Sequence, residues 1–186
     1  MCSDSGVCVV DLGTLPSAPP SSCASVNPSW QCTGTECGNI VQFLPTQGEG
    51  YWNYPLNGET ESNQYRSYIR KEVMMLIKHA ASATKCMSED WTVGNGEPLG
   101  LGDMSEANGD IPGTSDNDPG HPEGTHVNGF DMDIAYYQLL GTNNWLRSVC
   151  DHTESGQDAY HCVSEPNNLD IWRTALFFAK MHDSPY

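Results

Sequence analysis

The residues whose types and spacing could do chemistry lie in Gly120-His121-Pro122-Glu123-Gly124-Thr125-His126-Val127-Asn128-Gly129-Phe130-Asp131-Met132-Asp133-Ile134. Two histidines and two aspartates here offer nitrogen and oxygen donors to a divalent cation. Phe130, Met132 and Ile134 recur at period two with Asp131 and Asp133 between them, which reads as a strand with one buried face. On one straight strand His126 and Asp133 cannot share a metal, because seven extended residues span about 23 Å. Asn128-Gly129 supplies a reversal, since Asn-Gly between strand-like residues is a strong hairpin signal. A two-residue turn there sets Val127 opposite Phe130, His126 opposite Asp131 and Thr125 opposite Met132, with Asp133 diagonal to His126 on the same face. Direct and diagonal cross-strand neighbours are about 5 Å and about 7–8 Å apart. A zinc ion with ligand bonds of about 2 Å can bridge a His and an Asp so placed. A solvated polar face is the ordinary role of such residues, and spacing alone does not choose between Asp131 and Asp133.

Several elements must position this hairpin. Ile69, Val73, Leu76, Ile77 and Ala80 recur at helical spacing and predict a helix from about Ser62 to Ala83. Met74 and Met75 read as packing residues. His79 is placed near that helix's C-terminal end, where the dipole favours a cation. Tyr51 and Trp52, in Tyr51-Trp52-Asn53-Tyr54-Pro55, read as core aromatics. Glu97 to Met104 predicts a short strand, and Ala135 to Leu140 is read as extending the hairpin's second strand. A final helix runs from about Leu169 to Lys180. Asn168 is its expected cap, Asp170 lies in its first turn, and Trp172, Ala175, Leu176 and Ala179 form its apolar stripe. His152 and His182 read as surface histidines. Residues 105–120 are too long for an ordinary connection and suggest the rim of a cleft. Asp103, Asp110, Asp116, Asp118 and Glu123 in and around them could hold Ca²⁺, although the spacing is not that of an EF-hand.

Composition narrows the setting. The chain has 186 residues, 24 acidic against 8 basic, for a net charge of −16. Nucleic acid and anionic membrane surfaces demand Lys and Arg and are poor partners for such a surface. Eight cysteines favour disulfides in an oxidising compartment. Cys150 and Cys162 bracket a loop and are the one pair expected to bridge. Cys32-x4-Cys37 lacks the second Cys/His pair of a zinc finger. No stretch has the length and apolarity of a membrane span, and no secretory signal is visible. Residues 1–48 are rich in Cys, Pro and Ser and read as an N-terminal segment or linker. Residues 49–186 read as one α+β domain, a small and mainly antiparallel sheet with flanking helices.

His-x-x-Gly-x-Asp-x-Asp-Ile, as it stands from His126 to Ile134, resembles the first metal motif of the penicillin-insensitive murein endopeptidases. These are zinc peptidases with the hedgehog/D-Ala-D-Ala-peptidase fold. Leu101-Gly102-Asp103-Met104 resembles the strand and turn that precede the motif in that family. Gly120-His121 resembles a metal-associated Gly-His, here with a gap to His126 two residues longer. Asp158-Ala159-Tyr160-His161 resembles a later Asp-x-x-His, followed, as there, by a helix. The resemblance covers roughly residues 51–186 in order.

The resemblance implies His126 and Asp133 as zinc ligands, with His121, Asp158 and His161 as auxiliary or second-metal ligands. It implies a zinc-activated water and a substrate class, the D-alanyl-diaminopimelate cross-links of peptidoglycan, met in a periplasmic or extracellular setting. The family draws its third ligand and its catalytic histidine from a C-terminal H-x-H, a motif this chain does not contain. On that pattern the chain is expected to be C-terminally incomplete, without its last strands, and to bind zinc weakly. Two other readings stand beside it: a carboxypeptidase or dipeptidase on the same fold, and a non-catalytic extracellular module binding zinc or calcium.

Overall fold

The computed structural model describes residues 23, 39–43, 50–53, 67–117, 119–155 and 161–186. Its elements are those of an α+β chain. Strand β1 is Ile40–Gln42, β2 is Tyr51–Asn53, β3 is Tyr68–Arg70 and β4 is Leu99–Leu101; helix α1 is Lys71–Met87 and α2 is Ile171–His182. The strands form two ladders. β1 pairs antiparallel with β3, and β2 pairs parallel with β4. Where one small sheet is expected there are two among the described residues, and four of the five isolated bridges outside them are antiparallel. The chain that follows β4 returns to β3 at Ser105, which exchanges both backbone bonds with Tyr68, Tyr68 N–H to Ser105 C=O at 3.1 Å and the reverse at 3.0 Å.

The first helix starts later than its apolar spacing suggests. Ile69, which the apolar spacing assigns to the helical stripe, lies in β3, opposite Val41. A β-branched residue fits either period, and the backbone pairing with β1 takes precedence. Arg70, extended at φ −62° and ψ 139°, ends the strand and begins the helix. α1 then continues past Ala83 to Met87, and Cys86 in its last turn is bridged to Cys23. Residues 62–66 of the expected helix lie outside the described residues. His79 sits in the middle of α1 and not near its end. Its partly buried ring meets Tyr186, and its pKa is lowered by burial and then by the Lys180 cation, with Asp183 opposing.

The core gathers Phe43, Tyr51, Ile69, Met74, Met75, Ile77, Leu99, Leu101, Met104, Tyr137 and Phe177. Met74, Ile77 and Ala81 fall on one face of α1 at spacings of three and four. Ala80, Ala81 and Ala83 keep the buried surface of α1 small, which permits the close approach of α2, its main helical partner. On α2 the buried residues are Arg173 and Phe177, and Ala179 of the expected stripe is exposed. Asp170, not Asn168, is the N-cap: its carboxylate accepts the Arg173 backbone N–H at 3.0 Å. The same carboxylate holds the Arg173 guanidinium at 2.7 Å. That guanidinium also donates to the Ser88 hydroxyl and to the carbonyls of Ser88, Trp91 and Val93. The start of α2 is thereby clamped to the turn that follows α1.

Candidate metal centre

The Asn128-Gly129 turn forms, but the hairpin does not. Both residues have positive φ, 56° and 65°, as a tight hairpin reversal requires. Phe130 N–H reaches Val127 C=O at 3.4 Å across the turn. Two things stop the arms from pairing. His126 is itself left-handed, at φ 52°, a conformation that costs a non-glycine residue about 1–2 kcal/mol. Its N–H goes to the Asp131 carboxylate at 2.8 Å instead of to a strand opposite. The turn is held from outside by Arg70, whose backbone N–H donates to Gly129 C=O at 2.9 Å and whose Nε–H donates to Asn128 C=O at 3.0 Å. A Cβ on Gly129 would stand 2.7 Å from Arg70 N, so this approach admits only glycine.

Asp133 reaches the site on a different partner. Its N–H donates to Asp103 C=O and its C=O accepts from Gly102 N–H, while Ala135 N–H donates to Gly100 C=O. The segment 133–135 thus lies antiparallel against β4, with Ile134 opposite Leu101. The expected strand through Leu140 is not present. Between 136 and 140 only Gln138 makes a bridge, to Leu169.

These two supports bring His126 and both aspartates together. His126 is 5% exposed. Its Nε2 lies 3.7 Å from Asp133 Oδ1, and its Nδ1 lies 3.8 Å from Asp131 Oδ2. Both distances exceed a hydrogen bond, and among the described residues the buried Nδ1 has no hydrogen-bond partner. The two carboxylates differ in employment. Asp131 is already occupied by the His126 backbone, whereas among the described residues the Asp133 carboxylate has no hydrogen-bond partner.

His121 packs edge-on against the His126 ring, with centroids 4.6 Å apart. Its Nε2 is 2.7 Å from Asp103 Oδ2, and that aspartate side chain is 4% exposed. Asp103 thus turns inward to a histidine. Asp110 accepts from the Asn108 side chain at 2.7 Å, and Asp116 is exposed on a 3-10 turn at Thr114–Asp116. Asp118 lies outside the described residues. The loop over 105–117 is pinned instead by buried Glu106, whose Oε1 accepts both the backbone N–H and the hydroxyl of Ser115 at 3.0 Å.

His161 is exposed beside Cys162, and Asp158 lies outside the described residues. The expected Cys150–Cys162 disulfide is present. His152 is half-buried and bridges to Cys162 through its backbone. His182 is the last residue of α2, and its side chain is 90% exposed.

The donor set fits zinc as part of a site. One imidazole nitrogen and one carboxylate oxygen stand 3.7 Å apart, close to the edge of about 3.4 Å that bonds of about 2.1 Å give a tetrahedral ion. Among the described residues no three His, Cys, Asp or Glu side chains converge as a metal-holding group. Arg147, which no sequence motif marks, lines a cleft together with Ile134. Its surroundings carry no motif and give no local signal.

No protein-family model, curated protein or solved structure matches the chain.

Proposed function

We propose that this protein is a zinc peptidase of the murein endopeptidase type, acting on D-alanyl-diaminopimelate cross-links of peptidoglycan outside the cytoplasm. One observation carries the metal reading: His126 Nε2 and Asp133 Oδ1 stand 3.7 Å apart, with no better partner for either among the described residues. The order of the resembling motifs supports the substrate class. The two disulfides among the described residues, Cys23–Cys86 and Cys150–Cys162, support an oxidising compartment. Among the described residues no helix is long and apolar enough to cross a membrane.

Zinc bound at this pair would lower the pKa of a coordinated water to about 7 and polarise the scissile carbonyl. The chain's own residues prepare for that. Asp131 holds the His126 backbone in its left-handed turn and lies on the Nδ1 side of the ring. That placement leaves Nε2 on the edge of the ring that faces Asp133. Asp133 contributes the compensating charge. The Asp103–His121 pair buttresses the His126 ring from its other side, a supporting role in place of the auxiliary ligation that the resemblance implies.

A second reading is a metal-binding module without catalysis, with zinc or calcium as the ion. It is favoured by the want of a third converging donor among the described residues. The test is calorimetric zinc titration of metal-stripped protein, wild type against His126→Ala and Asp133→Ala, followed by incubation with a purified cross-linked muropeptide dimer. The peptidase reading expects one stoichiometric event, lost in both variants, and dimer cleavage once a third ligand is supplied by a C-terminal H-x-H extension. Binding without cleavage by the extended protein would leave the module. Binding unchanged in both variants would remove the metal from these residues.

A further inference from the structure

Beside Asp133 the chain opens a cleft of about 730 Å³, walled by Ile134, Tyr136, Leu146, Val149, Leu169 and the Cys150–Cys162 disulfide. Two features of this cleft are independent of the metal pair. The first is a free backbone edge. Asp133 and Ala135 direct their backbone groups to β4, so Ile134 directs its N–H and C=O the other way. Among the described residues neither group has a backbone partner. Ile134 and Tyr136 both border the cleft; the open edge beside it is the N–H and C=O of Ile134, one residue from the candidate ligand, while the Tyr136 C=O accepts the Gln138 side-chain amide at 3.4 Å.

The second feature is charge. The chain carries 24 acidic residues, yet no described Asp or Glu lines this cleft, whereas Arg147 and His152 do. Among the described residues Arg147 has no carboxylate partner. Its guanidinium is oriented by neutral acceptors only, Gln138 Oε1 at 2.8 Å, Asn143 C=O at 2.8 Å and Asn143 Oδ1 at 2.7 Å. A guanidinium has five N–H groups, so two are left for a ligand. Exposed Leu146 and Tyr136 flank it.

We propose that this cleft takes an extended peptide as an added strand along Ile134 and Tyr136, with a carboxylate of the peptide held by Arg147. Backbone pairing supplies register and the guanidinium supplies selection. This deepens the peptidase reading and rests on it for the peptide's chemistry. Arg147 is a specificity residue and not a catalytic one.

The test uses metal-stripped full chain and N-acetyl-tetraalanine as probe, so zinc plays no part in it. The free acid is compared with its C-terminal amide and with the acid N-methylated at a central peptide bond, with affinity and backbone amide shifts read by NMR. Expected are shifts centred on Ile134 and Tyr136, with binding weaker by roughly tenfold for the amide and weakened again for the N-methyl peptide. Arg147→Gln should bind acid and amide alike. Equal binding of acid and amide by the wild type overturns the carboxylate site. Undiminished binding of the N-methyl peptide, or shifts elsewhere, overturns the added strand. Should Arg147→Gln fail to fold, the three peptides on the wild type still decide. Peptide binding with no zinc binding defeats the peptidase reading alone, and zinc binding with no preference among the peptides defeats this one alone.

Discussion

The Asp131 carboxylate accepts the backbone N–H of His126 at 2.8 Å while lying 3.8 Å from the same residue's Nδ1. One aspartate therefore fixes the backbone of the candidate ligand and flanks its ring, and the other, Asp133, faces Nε2. This division of labour separates the two variants in their effect on metal. Asp133→Ala should abolish stoichiometric zinc binding. Asp131→Ala should weaken it by roughly tenfold to a hundredfold, the usual loss for a residue that orients a ligand. Parallel calorimetric titrations check this, and equal losses would return the choice between the aspartates to where spacing left it.

Gly129 should be the least replaceable residue of the turn. Gly129→Ala combines positive φ with a Cβ 2.7 Å from Arg70 N, and should cost about 2–3 kcal/mol. Gly96 also has positive φ, 72°, but open space around it. Gly96→Ala should cost only the left-handed strain, about 1 kcal/mol. Urea unfolding of the two variants measures the difference, which isolates the close backbone approach.

The Asp170–Arg173 pair is buried at both ends, and breaking one end should be severe. Arg173→Met leaves Asp170 charged and enclosed, for a loss of about 3–5 kcal/mol. Adding Asp170→Asn to it should recover part of that loss, because the stranded charge is removed while an Asn can still cap α2. A double-mutant cycle in chemical denaturation tests the recovery.

The disulfides should stabilise in proportion to the chain they close. Cys23–Cys86 spans 63 residues and Cys150–Cys162 spans 12. Loop entropy puts their contributions near about 4 and about 3 kcal/mol. Paired Cys→Ser replacements should rank in that order in urea midpoint. The shorter pair should also loosen the proposed peptide cleft, whose wall it forms.

His79 should make stability fall on the acid side. Its folded pKa is lowered, first by burial and then by Lys180, so the unfolded chain binds its proton more readily. The contribution is full above the unfolded value of about 6.5 and is lost as pH falls through the folded value. His79→Asn should therefore show a shallower loss of melting temperature between pH 7.5 and pH 5 than the wild type. The change will be modest because the ring is only partly buried.

Much of this was legible locally. Asn128-Gly129 turns because both residues tolerate positive φ. Leu99–Leu101 is a strand within the expected 97–104, α2 runs within two residues of its expected ends, and Cys150 bridges Cys162. These features depend on backbone preference or short spacing, which the sequence carries residue by residue. Tertiary structure decided the rest. Ile69 left the helix because β1 offered its backbone a partner. His126 left the hairpin because Asp131 captured its N–H. Asp133 reached His126 from a segment laid on β4, and Arg147 came to line a cleft with no motif around it. Each of these outcomes depends on a partner distant in the chain or on a choice between competing hydrogen bonds, and neither is written in a residue's own neighbourhood.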